Sequence, residues 1–530
     1  MGFLRTFSPL IYFAFGLYFQ FINVAFWIYN HFKKFENVTK PADNTLLLIS
    51  ATQAAAEIRE KRLSSSELVE AYIERIASVN PIINAVVVPL FEQARKMAQE
   101  CDDYLDCVDV ESDEYKNLAA TKPLYGIPFT LKDSISVKGS ILCCGMDYRK
   151  GMVMEKDALV VSRMKEAGAI PLCVTNVPEC AMWWESVNTV YGRTNNCYDS
   201  RRICGGSSGG EGALIGAAGS LIGLGSDIGG SIRMPAFFNG VFGMKPTIGV
   251  VPSDGHFPEA VGFRTEMFTI GPMCRYATDL PLMLSVLAGP ESANLKLDIP
   301  INIRKTKIFY MVGLKNPAIE SLDDNMAETL RKAVKYFEKK YDIMTYQVDF
   351  PTAHRAAEHF FSSMEVKGSD KFDKILTGGV GTLNIAQEIM KGFMGKSVYT
   401  LPALMTAFLD NVETISEPNK QKLFTQRDQL KKEIINLLGE DGILIFPSFP
   451  TVAPFHNQPI ATPFNFAYTA LWNAVGLPVV QCPMGLNKSL LNPAGMPLGV
   501  QIIGSPNSDG LLIQIAADLE EGFGGWELAR

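Results

Sequence analysis

The longest unbroken apolar stretch of this chain lies at its start. From Phe7 to Trp27 the sequence FSPLIYFAFGLYFQFINVAFW carries no charge, with Arg5 before it and His31, Lys33 and Lys34 after it. About 20 apolar residues cross a bilayer as a helix, so the pattern predicts a hydrophobic helix within an N-terminal membrane-anchor unit, residues 1–35. A secretory signal would have a shorter apolar core and end in small residues. The exit here, IYNHFKKFEN, has none, and the stretch reads as an uncleaved single-pass anchor. Gln20, Asn23 and the dense aromatics leave an interfacial helix open as the alternative. Basic residues flank both ends, so orientation stays open.

After a polar linker, residues 36–49, the periodicity changes. Ser64-Ser65-Ser66-Glu67 is a capping box, and Leu68, Tyr72, Ile76 and Val79 recur at helical spacing until Asn80-Pro81. INAVVVPL reads as a buried strand, EQARKMAQECDDYLD as helix, and the acidic run from Asp109 to Tyr115 as a solvated loop. Ile127 to Leu131 is a short strand with Lys132 as its last residue; Ala158 to Ala169 is a helix feeding the strand AIPLCVTN. Gly442–Phe446 and Gly499–Gly504 are further strands, and an amphipathic helix from Leu511 to Glu521 closes the chain. Strands and helices alternate throughout with no internal repeat, which predicts one large α/β domain over residues 50–530.

Charge and cysteine usage narrow the partners. The 530 residues carry a net charge of -7 with no basic stripe, which argues against nucleic acid. Ten cysteines occur without a C-x-x-C pair or a Cys/His cluster, so neither a zinc site nor a disulfide framework is indicated. Asn37 and Asn487 stand in N-x-S/T triplets.

Candidate chemistry concentrates in GGSSGGEGALIG, Gly205 to Gly216, and in Asp227-Ile228-Gly229-Gly230-Ser231. Gly206 to Gly210 satisfies G-x-S-x-G, but the preceding NCYDSRRIC is polar where a nucleophile elbow needs an apolar strand. An elbow would also enlist one of His256, His354, His359 or His456, none in a recognisable setting. Ser207 and Ser231 each follow a Gly-Gly pair. Glycine lets backbone N–H groups converge on an anion, so the second segment fits an oxyanion hole ending in a nucleophile. Two tight turns with capping serines fit the same residues.

These segments, with GIPFTLKDSISVKG upstream and TIGPMCRYATDL, NAVGLPVVQCPMGL and MPLGVQIIG downstream, resemble the amidase signature family from Ser50 onward. MWWESVNTVYGRTNN, FPSFPTVAP and the apolar N-terminus are most similar to its members that cleave fatty-acid amides. The resemblance implies a mixed β-sheet covered by helices on both faces, and a Ser–Ser–Lys triad with Ser231 as nucleophile, Ser207 as bridging serine and Lys132 as base. It implies a cis peptide into Ser207 and an oxyanion hole from the backbone of Ile228, Gly229, Gly230 and Ser231. Ala181 and Met182, with Trp183 and Trp184 beside them, would bind the acyl chain, and Ser208, Asp227 and Arg233 would support the site. No metal or cofactor is implied. The expected partners are a lipid-like small-molecule amide (a primary fatty amide or N-acylethanolamine) and a membrane, at the endoplasmic reticulum or lipid droplets, and a homodimer is allowed. Met390 to Val412 would line an acyl entry or touch the bilayer, or form an ordinary core helix. Other acyl amides or esters are the alternative substrates; a His-dependent hydrolase and a non-catalytic membrane scaffold are the alternative classes.

Overall fold

Eleven apolar runs pair into one mixed sheet in the computed structural model, which describes residues 8–34, 36, 44–412, 415–488 and 495–529. Asn37 with linker residues 37–43, and Ser489 of the second triplet, lie outside the described residues. In chain order the strands are β1 (Val86–Pro89), β2 (Pro128–Lys132), β3 (Ile170–Thr175), β4 (Val187–Asn188), β5 (Gly192–Arg193), β6 (Ile222–Asp227), β7 (Phe242–Lys245), β8 (Thr269–Cys274), β9 (Lys307–Tyr310), β10 (Thr345–Gln347), β11 (Gly442–Pro447), β12 (Val479–Leu486) and β13 (Pro497–Ile503). The pair β4–β5 forms a separate hairpin; the rest run across the sheet as β1-β3-β2-β6-β8-β7-β12-β13-β11-β9-β10. Strands β3, β2 and β6 are parallel neighbours, as are β11, β9 and β10, and the middle of the sheet is antiparallel. Every residue of β2, β3, β6, β8 and β11 is buried. Strands covered on both faces read as continuous apolar runs rather than alternating ones, which is why the sequence marks them as short apolar blocks.

Among the helices, those that frame the junction of β2 and β6 or carry apolar surface are α1 (Ser8–His31), α2 (Ser65–Ile83), α3 (Gly209–Gly216), α4 (Arg233–Phe238), α5 (Ile385–Phe393), α6 (Leu401–Asn411), α7 (Ala467–Ala474) and α8 (Asp509–Phe523). The capping box of α2 forms as expected: Ser64 Oγ accepts the Glu67 N–H at 3.0 Å and Glu67 accepts the Ser64 N–H at 3.3 Å. The helix does not stop at Pro81. It runs to Ile83 and ends on Asn84 in the left-handed conformation, φ 48°. Asn80 Oδ1 accepts the N–H groups of Ala85 and Val86, so donors beyond the proline find a partner and one more turn is tolerated. The acidic run is not all loop either: Ser112 caps a single helical turn at Asp113–Lys116.

Helix α1 lies along the body. The Tyr12 hydroxyl donates to the Lys315 carbonyl and the Tyr18 hydroxyl to that of Ala461, at 3.0 and 2.8 Å. Asn23 bonds the Glu320 carboxylate and accepts from Gln458 Nε2 at 2.7 Å, and Arg201 donates to the Asn30 carbonyl at 3.2 Å. Of the two polar residues that made an all-apolar span imperfect, Asn23 is one that holds the helix to the body. Leu10, Phe13, Leu17, Phe21, Val24 and Ile28 form an exposed apolar stripe on its outer side.

Where α3 packs behind β2 and β3, it buries a carboxyl. Glu211 accepts the Thr175 hydroxyl at 2.7 Å and the Thr130 hydroxyl at 2.8 Å. Gly223 on β6 makes the room, since a Cβ there would stand 1.7 Å from Glu211 Oε2. Burial, against the pull of the two threonine hydrogen bonds, raises this acid from 4.5 to about 8. Its contribution to stability is complete below its unfolded value and is lost as pH rises through about 8. Thermal unfolding of Glu211→Gln should therefore match the parent near pH 4.5 and exceed it increasingly towards pH 8; a constant offset in Tm at every pH would disprove the assignment.

Candidate active site

Parallel strands end together, and in open α/β sheets sites form at their carboxyl ends. Leu131 pairs with Leu224 across β2 and β6. The last residue of β2 is Lys132; the last two of β6 are Ser226 and Asp227. The loop Gly205–Ser208 leading into α3 closes over this junction, and its Gly206–Ser207 peptide is cis. The Ser208 N–H donates to the Ser231 carbonyl at 3.0 Å, which joins the two serine segments through backbone. Ser208 Oγ accepts the Ser226 N–H at 3.3 Å, so the expected supporting serine ties the loop to the end of β6.

Lys132 is buried and its Nζ stands 2.6 Å from Ser207 Oγ. Burial pushes its ammonium down from 10.5 to about 8, against the opposing pull of Cys144, Asp227 and Glu211. An amine that would otherwise be almost wholly protonated at neutral pH is thus brought into the range where a useful fraction is free base. Ser207 is equally buried, whereas Ser231, at the N-terminal side of α4, is only partly covered. Ser231 is thus open to a reactant, whereas Lys132 and Ser207 are enclosed.

Asp227 organises the loop that carries Ser231. Its carboxylate accepts the Gly230 N–H at 2.8 Å, the Ile232 N–H at 3.1 Å and the Asn473 amide at 2.8 Å. Arg233 donates to it twice, both at 3.0 Å. Burial alone would raise this acid, but the Arg233 guanidinium and the amide donors hold it well below the usual carboxylate range. Arg233 is itself fully buried and also donates to Thr469 O, Gln501 Oε1 and Asn473 Oδ1, so its charge is surrounded by acceptors. The Thr469 hydroxyl donates to the Gly229 carbonyl at 2.8 Å. Gly230 has φ +112°, and a Cβ there would lie 2.0 Å from Thr469 Oγ1; only glycine passes. Of the four expected oxyanion donors, the Gly230 N–H is already committed to Asp227, because the turn folds that N–H back onto the carboxylate.

Ala181 ends a short helical turn, Glu179–Ala181, in which Cys180 and Ala181 both have positive φ, 57° and 55°, and Met182 follows it. They pack on an apolar cluster containing Leu142, Cys144, Leu376 and Ala403. Glu179 accepts the Thr400 N–H and hydroxyl at 2.8 and 2.9 Å and so ties this turn to the start of α6. Ile228 lies against Phe360 and Phe466 on the other side. Trp184 differs from expectation: it is buried against Phe449 in the main core, with ring centroids 5.4 Å apart, and is not part of the Ala181–Met182 cluster. In the Met390–Val412 segment, Leu404 and Ala407 are core while Met390, Phe393, Met394, Leu401 and Phe408 are exposed, Phe393 at 87%. It is therefore more than an ordinary core helix.

Sequence reasoning missed two side chains. Ser226 Oγ accepts from Lys132 Nζ at 2.8 Å, and His256 Nε2 lies 3.0 Å from the same oxygen. A polar residue inside a strand buried on both faces was the available signal for Ser226. His256 comes from the loop between β7 and β8 and carries no local signal at all.

A sequence model of the family described as Amidase matches residues 67–513. The chain is 42% identical over 500 residues to the Homo sapiens protein named fatty-acid amide hydrolase 2, covering 93% of this chain and 92% of that one. It is 40% identical over 492 residues to the Danio rerio protein fatty-acid amide hydrolase 2-A, covering 92% and 91%. A solved structure named fatty acid amide hydrolase superposes with a TM-score of 0.73 at 23% identity, over 92% of this chain and 87% of that one, which is a likeness of fold.

The lysine's state sets the expected pH response. Turnover per KM should rise with pH through about 8 as Lys132 loses its proton, then level off. Lys132→Met should abolish that limb and leave no more than about a thousandth of the activity. An ascending limb that survives in Lys132→Met would exclude the lysine as the titrating base.

Proposed function

Because the chain belongs to the amidase signature family and is an amide hydrolase, we propose that its substrate is a fatty-acid amide and that Lys132, Ser207 and Ser231 act as its catalytic triad. The observation that carries this reading is the dry 2.6 Å contact between Lys132 and Ser207. Neutral Lys132 takes the Ser207 proton while Ser207 takes the Ser231 proton, and the Ser231 oxygen attacks the amide carbonyl. The oxyanion that forms is met by the backbone N–H groups of Ile228, Gly229 and Ser231, each worth about 3 kcal/mol in such a site. The charge-assisted bond from Gly230 to Asp227 keeps the loop in the shape that aims the others. As the tetrahedral species collapses, the proton passes back through Ser207 to the leaving nitrogen, so the amine departs neutral. Water then adds to the acyl-enzyme by the same relay and releases the carboxylic acid. Amide nitrogen is a poor leaving group, and a relay that delivers a proton to it is what distinguishes this device from simple esterolysis.

The lipid character of the substrate is supported by the surroundings of the site. The names of the similar proteins give fatty-acid amides as what those proteins hydrolyse. Here the Ala181–Met182 turn leads through the Leu376–Ala403 cluster to α5 and α6, whose outer faces expose Phe393, Met394, Leu401 and Phe408. An acyl chain leaving a bilayer at that surface would meet apolar side chains all the way in. Helix α1 supplies a second apolar surface, and lying along the body it fits a helix seated in the membrane interface.

Membranes carrying the chain, given a panel of fatty primary amides, N-acylethanolamines and matching esters, should release fatty acid from the amides. Ser231→Ala should reduce release about ten-thousandfold or more and remove labelling by fluorophosphonates. Cleavage of esters alone, or labelling that persists in Ser231→Ala, would overturn the assignment. A chain lacking residues 1–36 should keep hydrolysing dispersed substrate and retain residual liposome binding through α5–α6; complete loss of binding would leave α1 as the sole membrane contact and refute the second.

A further inference from the structure

We propose that His256 is a positioning residue that sets the direction of the hydrogen bonds feeding Lys132. The inference rests on the triad reading above and adds a group outside it. His256 Nδ1 lies 2.9 Å from the Pro258 carbonyl oxygen. A carbonyl only accepts, so Nδ1 carries the proton and Nε2 of the neutral ring is a bare acceptor. Two hydroxyls converge on it, Ser134 Oγ at 2.9 Å and Ser226 Oγ at 3.0 Å. The ring is half-buried between them and lies tilted against Phe268, with centroids 4.6 Å and ring planes 55° apart, and its two ring nitrogens are held from opposite sides.

The consequence falls on Lys132. Ser226 has one hydroxyl proton, and once it is given to His256 the Ser226 oxygen faces Lys132 as an acceptor only, 2.8 Å from Nζ. A neutral amine has two N–H groups and one lone pair. With an N–H spent on Ser226, the lone pair is left for the Ser207 hydroxyl at 2.6 Å. Without His256, the Ser226 hydroxyl is free to turn and donate to that lone pair, competing with the proton the reaction needs. Burial, and after it the nearby Lys132 charge, keeps His256 uncharged down to about pH 3. It therefore stays an acceptor over the whole range in which Lys132 titrates; the charged or ionisable groups acting on Lys132 there are Cys144, Asp227 and Glu211. This also explains how a histidine can sit near the site without being its base.

A double-mutant cycle on the full chain tests the idea: His256→Phe, Ser226→Ala, both together, and His256→Gln, whose amide oxygen can accept in place of Nε2. His256→Phe should lower kcat about tenfold with KM unchanged, a fraction of the full general-base contribution. His256→Gln should recover most of it. Ser226→Ala should lower kcat in the parent yet raise it in the His256→Phe background, because the competing hydroxyl is gone. Should the phenylalanine variant fail to fold, His256→Asn, too short to reach Ser226, takes its place in the cycle. Additive losses, a KM that moves with kcat, or no recovery in a folded His256→Gln would overturn the proposal while leaving the triad standing. A parent chain that cleaves no amide would overturn both.

Discussion

An amine held out of water beside a hydroxyl is the constraint around which the rest of this structure is arranged. Lys132 cannot act as a base while protonated, and nothing in its own chemistry makes it neutral. The fold does so by ending a strand that is buried on both faces at the lysine itself. The aliphatic stem completes the strand, and the amine is left at the junction with β6, where two hydroxyls and a carbonyl are the only groups within hydrogen-bonding reach of it among the described residues. Desolvation is tolerable there because the group can discharge rather than remain a buried ion.

The same interior treats Asp227 in the opposite way. Both groups are completely buried, yet one is driven towards its neutral form and the other is held ionised. The difference lies in partners. Asp227 faces a guanidinium in a two-bond arrangement plus two backbone N–H groups and an amide. Lys132 faces only groups without formal charge at bonding distance. Removing one member of a buried ion pair typically costs about 3–5 kcal/mol, so the pair with Arg233 acts as a stiff pin at the base of the Ser231 loop. One centre is thereby left able to discharge by withholding counter-charge, and the other is held ionised, its loop pinned, by supplying it.

Much of this could be read from the chain. The apolar block before Lys132 marked a buried strand, and the spacing of glycine and serine marked close backbone approach. The triad itself came from resemblance, since Lys132 and Ser207 meet only when β2 and the Gly205–Ser208 loop are brought to the same strand end. What was illegible is tertiary in origin. His256 is 30 residues from Ser226 and carries no motif, and its relation to Lys132 exists only through a third side chain. The commitment of the Gly230 N–H to Asp227 is a fact of turn geometry that glycine content alone does not reveal. Local rules also erred where a side chain rescued the backbone, as Asn80 does beyond Pro81. Trp184 shows the complementary failure: adjacency in sequence to Met182 placed it beside the acyl chain, whereas the turn at Cys180 and Ala181 sends it into the core.

One buried carboxyl ties the apolar helix α6 to the region beside this site. The turn that holds Cys180 and Ala181 in positive φ is joined by Glu179 to Thr400, the residue that caps α6. One oxygen of Glu179 takes both hydrogen bonds, and burial raises the group to about 7, with the two bonds from Thr400 opposing. The inner face of α6 packs on the Ala181–Met182 cluster while its outer face, with that of α5, is exposed and apolar. Thr400, Glu179 and the turn at Cys180 and Ala181 are thus joined by hydrogen bonds to the start of α6. The left-handed turn and the start of α6 are therefore held as one hydrogen-bonded unit, while the Asp227–Arg233 pair separately fixes the loop that carries Ser231.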